Sequence, residues 1–262
     1  MDLDLAGKHA LVCGASQGIG RAVAIELAGM GASVTVLARR ADKLKALLEE
    51  LPKTSGNLPH HHIAVDGSDL DALRKAMQDL VRRAPVHILI NNSGGPPPGP
   101  VLAADIADFE AAFRSHLLAN QVRAQELIPA MRDAGFGRIV NVISTSVKEP
   151  IPGIGVSNST RGAVASWAKT LANEVAADGI TVNNVLPGST HTPRIEQIIE
   201  SRVRAGDKDE DAVRAAMTAS IPMGRFAEPE ETAAAVAFLA SPAAAYITGI
   251  NLPVDGGRTR SL

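Results

Sequence analysis

The segment from His9 to Ala28 constrains the fold more than any other part of the chain. It consists of a short apolar strand pattern, a turn with glycines at 14, 18 and 20, and an apolar periodicity typical of a helix. Such a turn lets the backbone bend sharply and come close to a ligand, and the free N–H groups at a helix start attract an anion such as pyrophosphate. A position between strand and helix is the context that this motif requires. The segment therefore predicts a nucleotide-binding α/β unit.

Strand and helix patterns alternate through the rest of the chain. The spacing predicts strands over 9–13, 32–38, 63–65, 87–90, 137–143, 180–186 and 250–254. It predicts helices over 19–28, 41–51, 70–81, 105–133, 156–177 and 229–239, and two charged helical segments within 193–223. The pattern over 105–133 fits either one helix or a short helix followed by a long one. This alternation favours parallel pairing through right-handed crossovers. We expect residues 1–262 to form one α/β domain with a doubly wound parallel sheet.

Composition narrows the classes of partner. The net charge of −2 leaves no electrostatic footprint for nucleic acid or an anionic membrane, so neither partner is expected. Cys13 is the only cysteine, which excludes an intrachain disulfide and favours a reducing compartment. The chain shows no secretion-signal pattern at its start and no apolar run long enough to span a bilayer. We therefore expect a soluble, cytoplasmic protein.

The end of the second predicted strand bears on which dinucleotide binds. Ligands of doubly wound sheets bind outside the carboxyl ends of the strands, where NAD-binding proteins often carry an acid for the ribose hydroxyls. This chain has Ala38 at that position, followed by Arg39. A missing carboxylate and a guanidinium that can grip a 2′-phosphate favour NADP(H) over NAD(H). The alternative is a solvated pair of arginines, Arg39 and Arg40.

The next two strand ends carry further candidate contacts. Asp66 is placed to accept a hydrogen bond from an adenine amino group, or alternatively to cap the following helix. Asn92, Ser93 and Gly94 are small residues that allow the backbone to approach a cofactor, although an ordinary turn would also use them.

Motifs along the whole chain resemble those of the short-chain dehydrogenase/reductase family, and more narrowly its 3-oxoacyl-carrier-protein-reductase-like members. They are the glycine turn, Asn-Asn-Ser-Gly at 91–94, Gly-Arg-Ile-Val-Asn at 137–141, Pro-Gly at 187–188, Gly-Arg-Phe-Ala-Glu-Pro-Glu-Glu at 224–231, and Tyr-Ile-Thr-Gly with Val-Asp-Gly-Gly within 246–257. The resemblance implies a single Rossmann-type sheet of about seven strands with helices on both faces. It also implies a nicotinamide cofactor, hydride transfer to or from a small or acyl-linked ketone or secondary alcohol, and a homo-tetramer.

The resemblance also implies a set of cofactor-binding positions. They are Gly14, Ser16, Gln17, Gly18, Ile19, Gly20, Arg39, Asp66, Gly67, Asn92, Ser93, Gly94, Arg161, Pro187, Gly188, Thr190 and Thr192. Thr190 and Thr192 match positions that contact the nicotinamide amide and phosphate, with turn formation as the alternative. Residues 193–223 lie where the family has its substrate lid; an exposed helical pair without a gating role is the other interpretation.

The catalytic positions depart from the family pattern of Asn, Ser, Tyr and Lys. Ser144 matches the serine, but Ser157 stands at the tyrosine position and Arg161 at the lysine position. His116 stands at the asparagine position. These four residues are the predicted catalytic set.

The replacements change what each position can do. A phenol with a reference pKa of about 10 can donate a proton when a nearby cation lowers that pKa, whereas the hydroxyl of Ser157 is shorter and far less acidic. Ser157 would act on a more deeply seated substrate or through a bridging water. The guanidinium of Arg161 can hydrogen-bond the ribose hydroxyls of the cofactor and stabilise negative charge, but it does not relay a proton. His116, with an ordinary pKa of about 6.5, is a candidate proton source, or else a helix histidine satisfied by a backbone carbonyl.

Other histidines give weaker signals. His191 is a second candidate acid, with a surface loop as the alternative. Adjacent side chains in the run 60–62 point to opposite faces of an extended segment, so we predict no metal site there.

Three functions fit this sequence. The first is an NADP-dependent oxidoreductase with an altered proton donor. The second is an NADP(H)-binding sensor or structural subunit without turnover, and the third is a lyase or isomerase that uses the same pocket.

Overall fold

The computed structural model describes residues 1–53, 58–206 and 209–261. Seven parallel strands form one sheet in the order β3-β2-β1-β4-β5-β6-β7. They are β1 His9–Cys13, β2 Ser33–Ala38, β3 His61–Ala64, β4 Ile88–Asn91, β5 Gly137–Val142, β6 Ile180–Pro187 and β7 Asn251–Val254. The doubly wound parallel sheet expected from the sequence is confirmed.

Helices cover both faces of the sheet. They are α1 Gly18–Gly29, α2 Ala41–Glu50, α3 Leu70–Arg83, α4 Ile106–Phe113, α5 Ala119–Asp133, α6 Gly155–Val175, α7 Pro193–Ala205, α8 Glu210–Ala219 and α9 Pro229–Ala240. Within β1, Ala10 and Val12 pack in one core with α1 and α9, whereas Leu11 and Cys13 pack in the other with α3, α5 and α6. Alternate strand residues face opposite layers, so a strand buried on both sides is a continuous apolar run.

The third strand begins earlier than the sequence predicts. β3 runs from His61 to Ala64, with His61 paired to Thr35 and Ala64 to Ala38 of β2. It is one of the two edge strands of the sheet and is only partly buried, so polar histidines are tolerated within it. The first and last residues of β3 are therefore set by its hydrogen-bonded pairing with β2 and not by the extent of an apolar run.

The long helical pattern over 105–133 is interrupted in the middle. A π-helical segment, Arg114–Leu118, joins α4 to α5. Such segments widen one helical turn and frequently occur at functional sites. His116 lies in this segment and is buried.

Four asparagines form a hydrogen-bonded ladder across β4 to β7. The side-chain amide of Asn91 donates to Asn141 over 2.9 Å, Asn141 donates to Asn184 over 2.9 Å, and Asn184 donates to Asn251 over 2.8 Å. The four residues are direct cross-strand partners. Because buried amides need partners, the ladder ties four strands together side by side.

The helices α7 and α8 form a layer beside the sheet with its own apolar cluster. Ile195, Ile199, Val213 and Met217 are buried in it. Positions 207 and 208, which the predicted lid segment includes, lie outside the described residues. Across the described ranges no helix is both long and apolar enough to cross a lipid bilayer.

Candidate active site

A cleft of about 1120 Å³ opens along the carboxyl ends of the strands. It exceeds the range of about 300–1,000 Å³ usual for ligand pockets, which suits a dinucleotide together with a small substrate. Every predicted site residue lines it except Gly20 and His116. The cleft thus brings together the ends of β1 to β6 with α6, α7 and the carboxy-terminal segment.

The glycine turn is shaped by steric contacts that exclude side chains. Gly14 has φ +62° and Gly18 has φ +57°, in the region that favours glycine. A Cβ on Gly20 would lie 2.3 Å from the carbonyl oxygen of Gly14. The side-chain amide of Asn92 donates to the carbonyls of Cys13 and Gly14 over 3.4 and 3.3 Å. The turn and the start of α1 therefore form an open cradle, which fits a dinucleotide pyrophosphate.

Arg39 and Arg40 follow β2 and both line the cleft. Both are exposed, and Arg40 donates to the side-chain oxygen of Gln17 over 2.9 Å. Arg39 has no such bond among the described residues. Its guanidinium is therefore available to a ligand at the nucleotide end of the cleft.

Asp66 forms a tight turn of its own. Its Oδ1 accepts from the backbone N–H of Ser68 over 2.9 Å and from the Ser68 hydroxyl over 2.8 Å. These bonds, followed by the charge of Arg39, lower the pKa of Asp66 below its usual value. The cap of α3 is Asp69, which accepts from Ala72, so the capping role considered for Asp66 belongs to Asp69.

Ser144, Ser157 and Arg161 line the same part of the cleft. The Ser144 hydroxyl accepts from the backbone N–H of Ser146 over 3.1 Å. Ser157 and Arg161 lie one turn apart on α6, and each is 7% exposed. Tyr246, the only tyrosine of the chain, is fully exposed and is not among the lining residues.

Arg161 is a buried cation. Its Nη1 donates to the carbonyl of Val142 over 3.1 Å, and its Nε has no hydrogen-bond partner among the described residues. Burial, and after that the charge of Arg194, lower the pKa of Arg161 to about 10. The guanidinium therefore stays charged at neutral pH and cannot act as an acid there.

His116 lies behind the cleft wall and not on it. It is 3% exposed, and its Nδ1 lies 2.6 Å from the hydroxyl oxygen of Ser93, which does line the cleft. Its pKa is lowered to about 2 by burial and then by the cations Arg161, Arg123 and Arg194. A hydrogen bond to the backbone of Gly94 opposes this shift. The imidazole is therefore neutral at physiological pH.

Several lining arginines were not singled out from the sequence. Arg123 is 3% exposed and donates to Asn91 over 3.2 Å and Asn120 over 3.0 Å. Arg194 donates to the carbonyl of Pro96 over 2.7 Å. The sequence did contain an indication that Arg123 is buried, because it lies one helical turn before the apolar Leu127 and so on the same side of α5. Arg202 and Arg258 also line the cleft, and no motif marks them.

The other candidate histidines lie elsewhere. His191 is exposed, packs edge-on against Phe226 and has its Nε2 3.9 Å from Glu228. His60 is bonded to backbone groups of Val34 and Pro52 over 3.0 and 2.8 Å. In the part of the chain that the structure describes, no three His, Cys, Asp or Glu side chains are grouped to hold a metal ion.

Comparison with known proteins agrees with this geometry. A family model described as enoyl-(acyl carrier protein) reductase matches residues 14–259. The chain belongs to the short-chain dehydrogenase/reductase family. It is one of that family's 3-oxoacyl-carrier-protein-reductase-like members. Membership places it among the NAD(P)-dependent oxidoreductases of ketones and alcohols.

Three relatives illustrate the range of this family. Glucose 1-dehydrogenase of Gluconobacter oxydans is 36% identical over 97% of this chain and 92% of its own length. The 3-oxoacyl-[acyl-carrier-protein] reductase FabG of Rickettsia felis is 32% identical over 97% of this chain and 98% of its own. The structure of L-sorbose reductase from Gluconobacter frateurii, complexed with NADPH and L-sorbose, has 30% identity and a TM-score of 0.90, and the match covers 100% of both chains.

Proposed function

We propose that this protein is an NADP(H)-dependent oxidoreductase of a ketone or secondary alcohol with an atypical proton donor. The observation that supports it is one cleft lined by the glycine turn, by Arg39 and by the Ser144, Ser157 and Arg161 group. A bound nicotinamide cofactor supplies or accepts the hydride. The chain itself must hold the cofactor, orient the substrate oxygen and deliver or remove a proton.

The preference for the phosphorylated cofactor rests on Arg39. Ala38 leaves no carboxylate to bind the ribose hydroxyls, and Arg39 offers a fork of N–H donors that matches a phosphate. The L-sorbose reductase relative is complexed with NADPH.

Arg161 and two serines are proposed to handle the substrate oxygen. The fixed positive charge of Arg161 stabilises negative charge as it develops on that oxygen. Ser144 and Ser157 offer hydroxyls on the same wall, and a water held between them and the substrate would carry the proton. The neutral His116 is hydrogen-bonded to Ser93 and so fixes the position of that hydroxyl in the cleft wall.

The cofactor assignment is tested with Arg39→Ala. We expect NADPH to bind about tenfold more weakly, because a guanidinium–phosphate contact is lost, while NADH affinity changes by less than about twofold. Arg40→Ala is the matched control, since Arg40 is bonded to Gln17. Binding is measured by titration of cofactor fluorescence. Equal losses for NADPH and NADH would exclude the assignment.

A second candidate is a cofactor-binding protein without turnover. It is favoured by the absence of a titratable donor on the cleft wall near Arg161, since His116 is buried and neutral and Tyr246 is exposed among the described residues. A panel of ketones separates the two. Binding of NADPH without its oxidation by any ketone would favour this second function, whereas oxidation by one of them supports the first.

A further inference from the structure

The cleft has a charge opposite to that of the whole chain. Its charged lining among the described residues consists of seven arginines and one aspartate, Asp66, whereas the chain has a net charge of −2. Guanidinium groups are suited to carboxylates and phosphates because their donors form a planar fork. This excess of positive charge therefore calls for anionic ligands.

Three of the seven arginines have other roles. Arg39 and Arg40 lie at the nucleotide end, beside Asp66. Arg123 is bonded to Asn91 and Asn120. The remaining four come from α6, α7 and the carboxy-terminal segment, on the other half of the cleft, and are Arg161, Arg194, Arg202 and Arg258.

None of these four arginines has an anionic partner among the described residues. Arg194 is half-buried and donates only to the carbonyl of Pro96, and Arg161 is buried with its Nε unpartnered. Glu149 shares a smaller pocket with Arg258, but its carboxylate accepts from the backbone N–H groups of the two residues 260 and 261. The buried guanidinium of Arg161 is repelled by the half-buried Arg194 and has no counter-ion, which is costly, so an anionic ligand would stabilise this arrangement.

Apolar side chains also line this half of the cleft, beside the hydroxyls of Ser144, Ser157 and Ser220. Side chains from the end of β5, the loop before α6, and the helices α7 and α8 line it, and they are Ile143, Ile151, Ile154, Ile195, Ile198 and Met217. Such walls hold a hydrocarbon body and exclude water from the charged groups.

We infer that the substrate is an organic acid, whose carboxylate is bound by Arg194, Arg202 and Arg258 while its apolar body lies against the isoleucines. The inference rests on the proposed function, because it names the substrate class of the same site. Arg161 lies beside Ser157 and serves the reacting oxygen. The carboxylate and the reacting carbon are then held at separate ends of one small molecule, which fixes its orientation.

The inference is tested by binding, independently of turnover. The probes are 2-, 3-, 4- and 5-oxohexanoate, each compared with its methyl ester, because the distance between carboxylate and ketone is varied while the carbon skeleton is kept. Affinities are measured by isothermal titration calorimetry without cofactor and with NADP+, which has no hydride to transfer to a ketone. We expect at least one acid to bind about tenfold more tightly than its ester.

A double variant and a charge-matched control identify the arginines responsible. Arg202→Gln with Arg258→Gln is expected to abolish the preference for the acid and to leave ester and NADPH affinities within about twofold. Arg204→Gln with Arg260→Gln removes the same charge from α7 and from the carboxy-terminal segment, but neither residue lines the cleft. This control should keep the preference.

Other results would overturn either the inference or the proposed function. If no acid binds more tightly than its ester, the cleft does not select carboxylates. If the double variant weakens NADPH and keeps the acid preference, the arginines serve the cofactor phosphates instead. If the acid preference is found and lost as expected but NADPH is never oxidised, the substrate class stands and the proposed reaction fails.

Discussion

We propose that two side chains on one turn of α6, Ser157 and Arg161, give this protein a chemistry different from that usual in its family. Both residues line the cleft, and the family resemblance assigns them to the positions of the family's tyrosine and lysine. Arg161 keeps its charge at neutral pH because its pKa stays at about 10 despite burial. On this proposal the site retains a cation but has no phenol beside it, so the binding and acid functions of the family pair are separated.

Restoring the family pair tests this separation. We expect Ser157→Tyr with Arg161→Lys to create or raise ketone reductase activity about tenfold or more, because a phenol beside an ammonium is a positioned proton donor. Initial rates of NADPH oxidation with a ketone panel measure the effect, and Arg161→Lys alone is the control. Unchanged rates in the double variant would mean that the substrate lies away from the family position.

The lowered pKa of His116 makes the stability of the folded protein depend on pH in the acid range. Its pKa is about 2 in the folded protein and about 6.5 when unfolded, so between these values only the unfolded chain binds the proton. Protonation therefore stabilises the unfolded state, and stability falls as the pH drops below about 6.5.

Replacing His116 should remove this pH-dependent contribution to the free energy of unfolding. Between pH 7.5 and pH 5 the wild-type free energy of unfolding should fall by about 2 kcal/mol more than that of His116→Asn. The other buried histidine with a strongly lowered pKa, His9, is present in both proteins and cancels. Urea unfolding at the two pH values measures the difference. Identical pH dependence would show that His116 is not neutral in the fold.

At the scale of elements, the asparagine ladder links the strands that carry the site. It runs from β4, which leads into Asn92 and Ser93, through β6, which ends at Pro187 and is followed by Gly188, to β7. Arg123 donates to its first member, Asn91, so the ladder also fixes a buried cation next to the cleft. Polar residues inside strands thus serve the alignment of strand ends.

Substitution in the middle of the asparagine ladder should destabilise the protein more than substitution at its end. Asn141→Leu removes two hydrogen bonds and leaves a buried amide of Asn91 and a buried oxygen of Asn184 unpaired, so we expect a loss of about 2–4 kcal/mol. Asn251→Ala, at the less buried end, should cost about 1 kcal/mol. Urea denaturation measures both. Equal losses would mean that the ladder does not act as a connected network.

At the scale of the whole molecule, α7 and α8 stand apart from the sheet with their own small core and still supply one wall of the cleft. We propose that this pair acts as the substrate lid expected from the family resemblance. A layer that packs mainly on itself can move with little disturbance of the sheet.

Hydrogen exchange can follow such a motion. We expect saturating NADPH to slow amide exchange in α7 by about tenfold, because Thr192 and Arg194 at its start line the cleft, while α9 is unaffected. Mass spectrometry of peptides from 193–205 and 229–240 measures the change. Slower exchange at the glycine turn alone would leave α7 and α8 without a lid role.

Some features of this protein are determined by its sequence alone. The strand, glycine turn and helix of residues 9–28 determine the fold locally, because a φ above zero at Gly14 and the contact between Gly20 and Gly14 admit only glycine. The alternation of apolar runs and helices determined the parallel sheet, since strands buried on both faces are continuously apolar. The sequence also predicts that Ser157 and Arg161 lie one turn apart on one helix, because a spacing of four residues is a local feature.

Only the tertiary structure decided the charges and partners around the site. Pairing with β2 sets the limits of the edge strand β3, and His116 is neutral because burial, and then the charges of Arg161, Arg123 and Arg194, disfavour its protonated form. Arg194, Arg202 and Arg258 meet in one cleft with Arg161 although they are separate in the chain. Electrostatic interactions depend on distance and burial in space, whereas sequence motifs record neighbours along the chain. The sequence alone therefore determined where the glycine turn and Arg161 lie, and the fold decided what surrounds them.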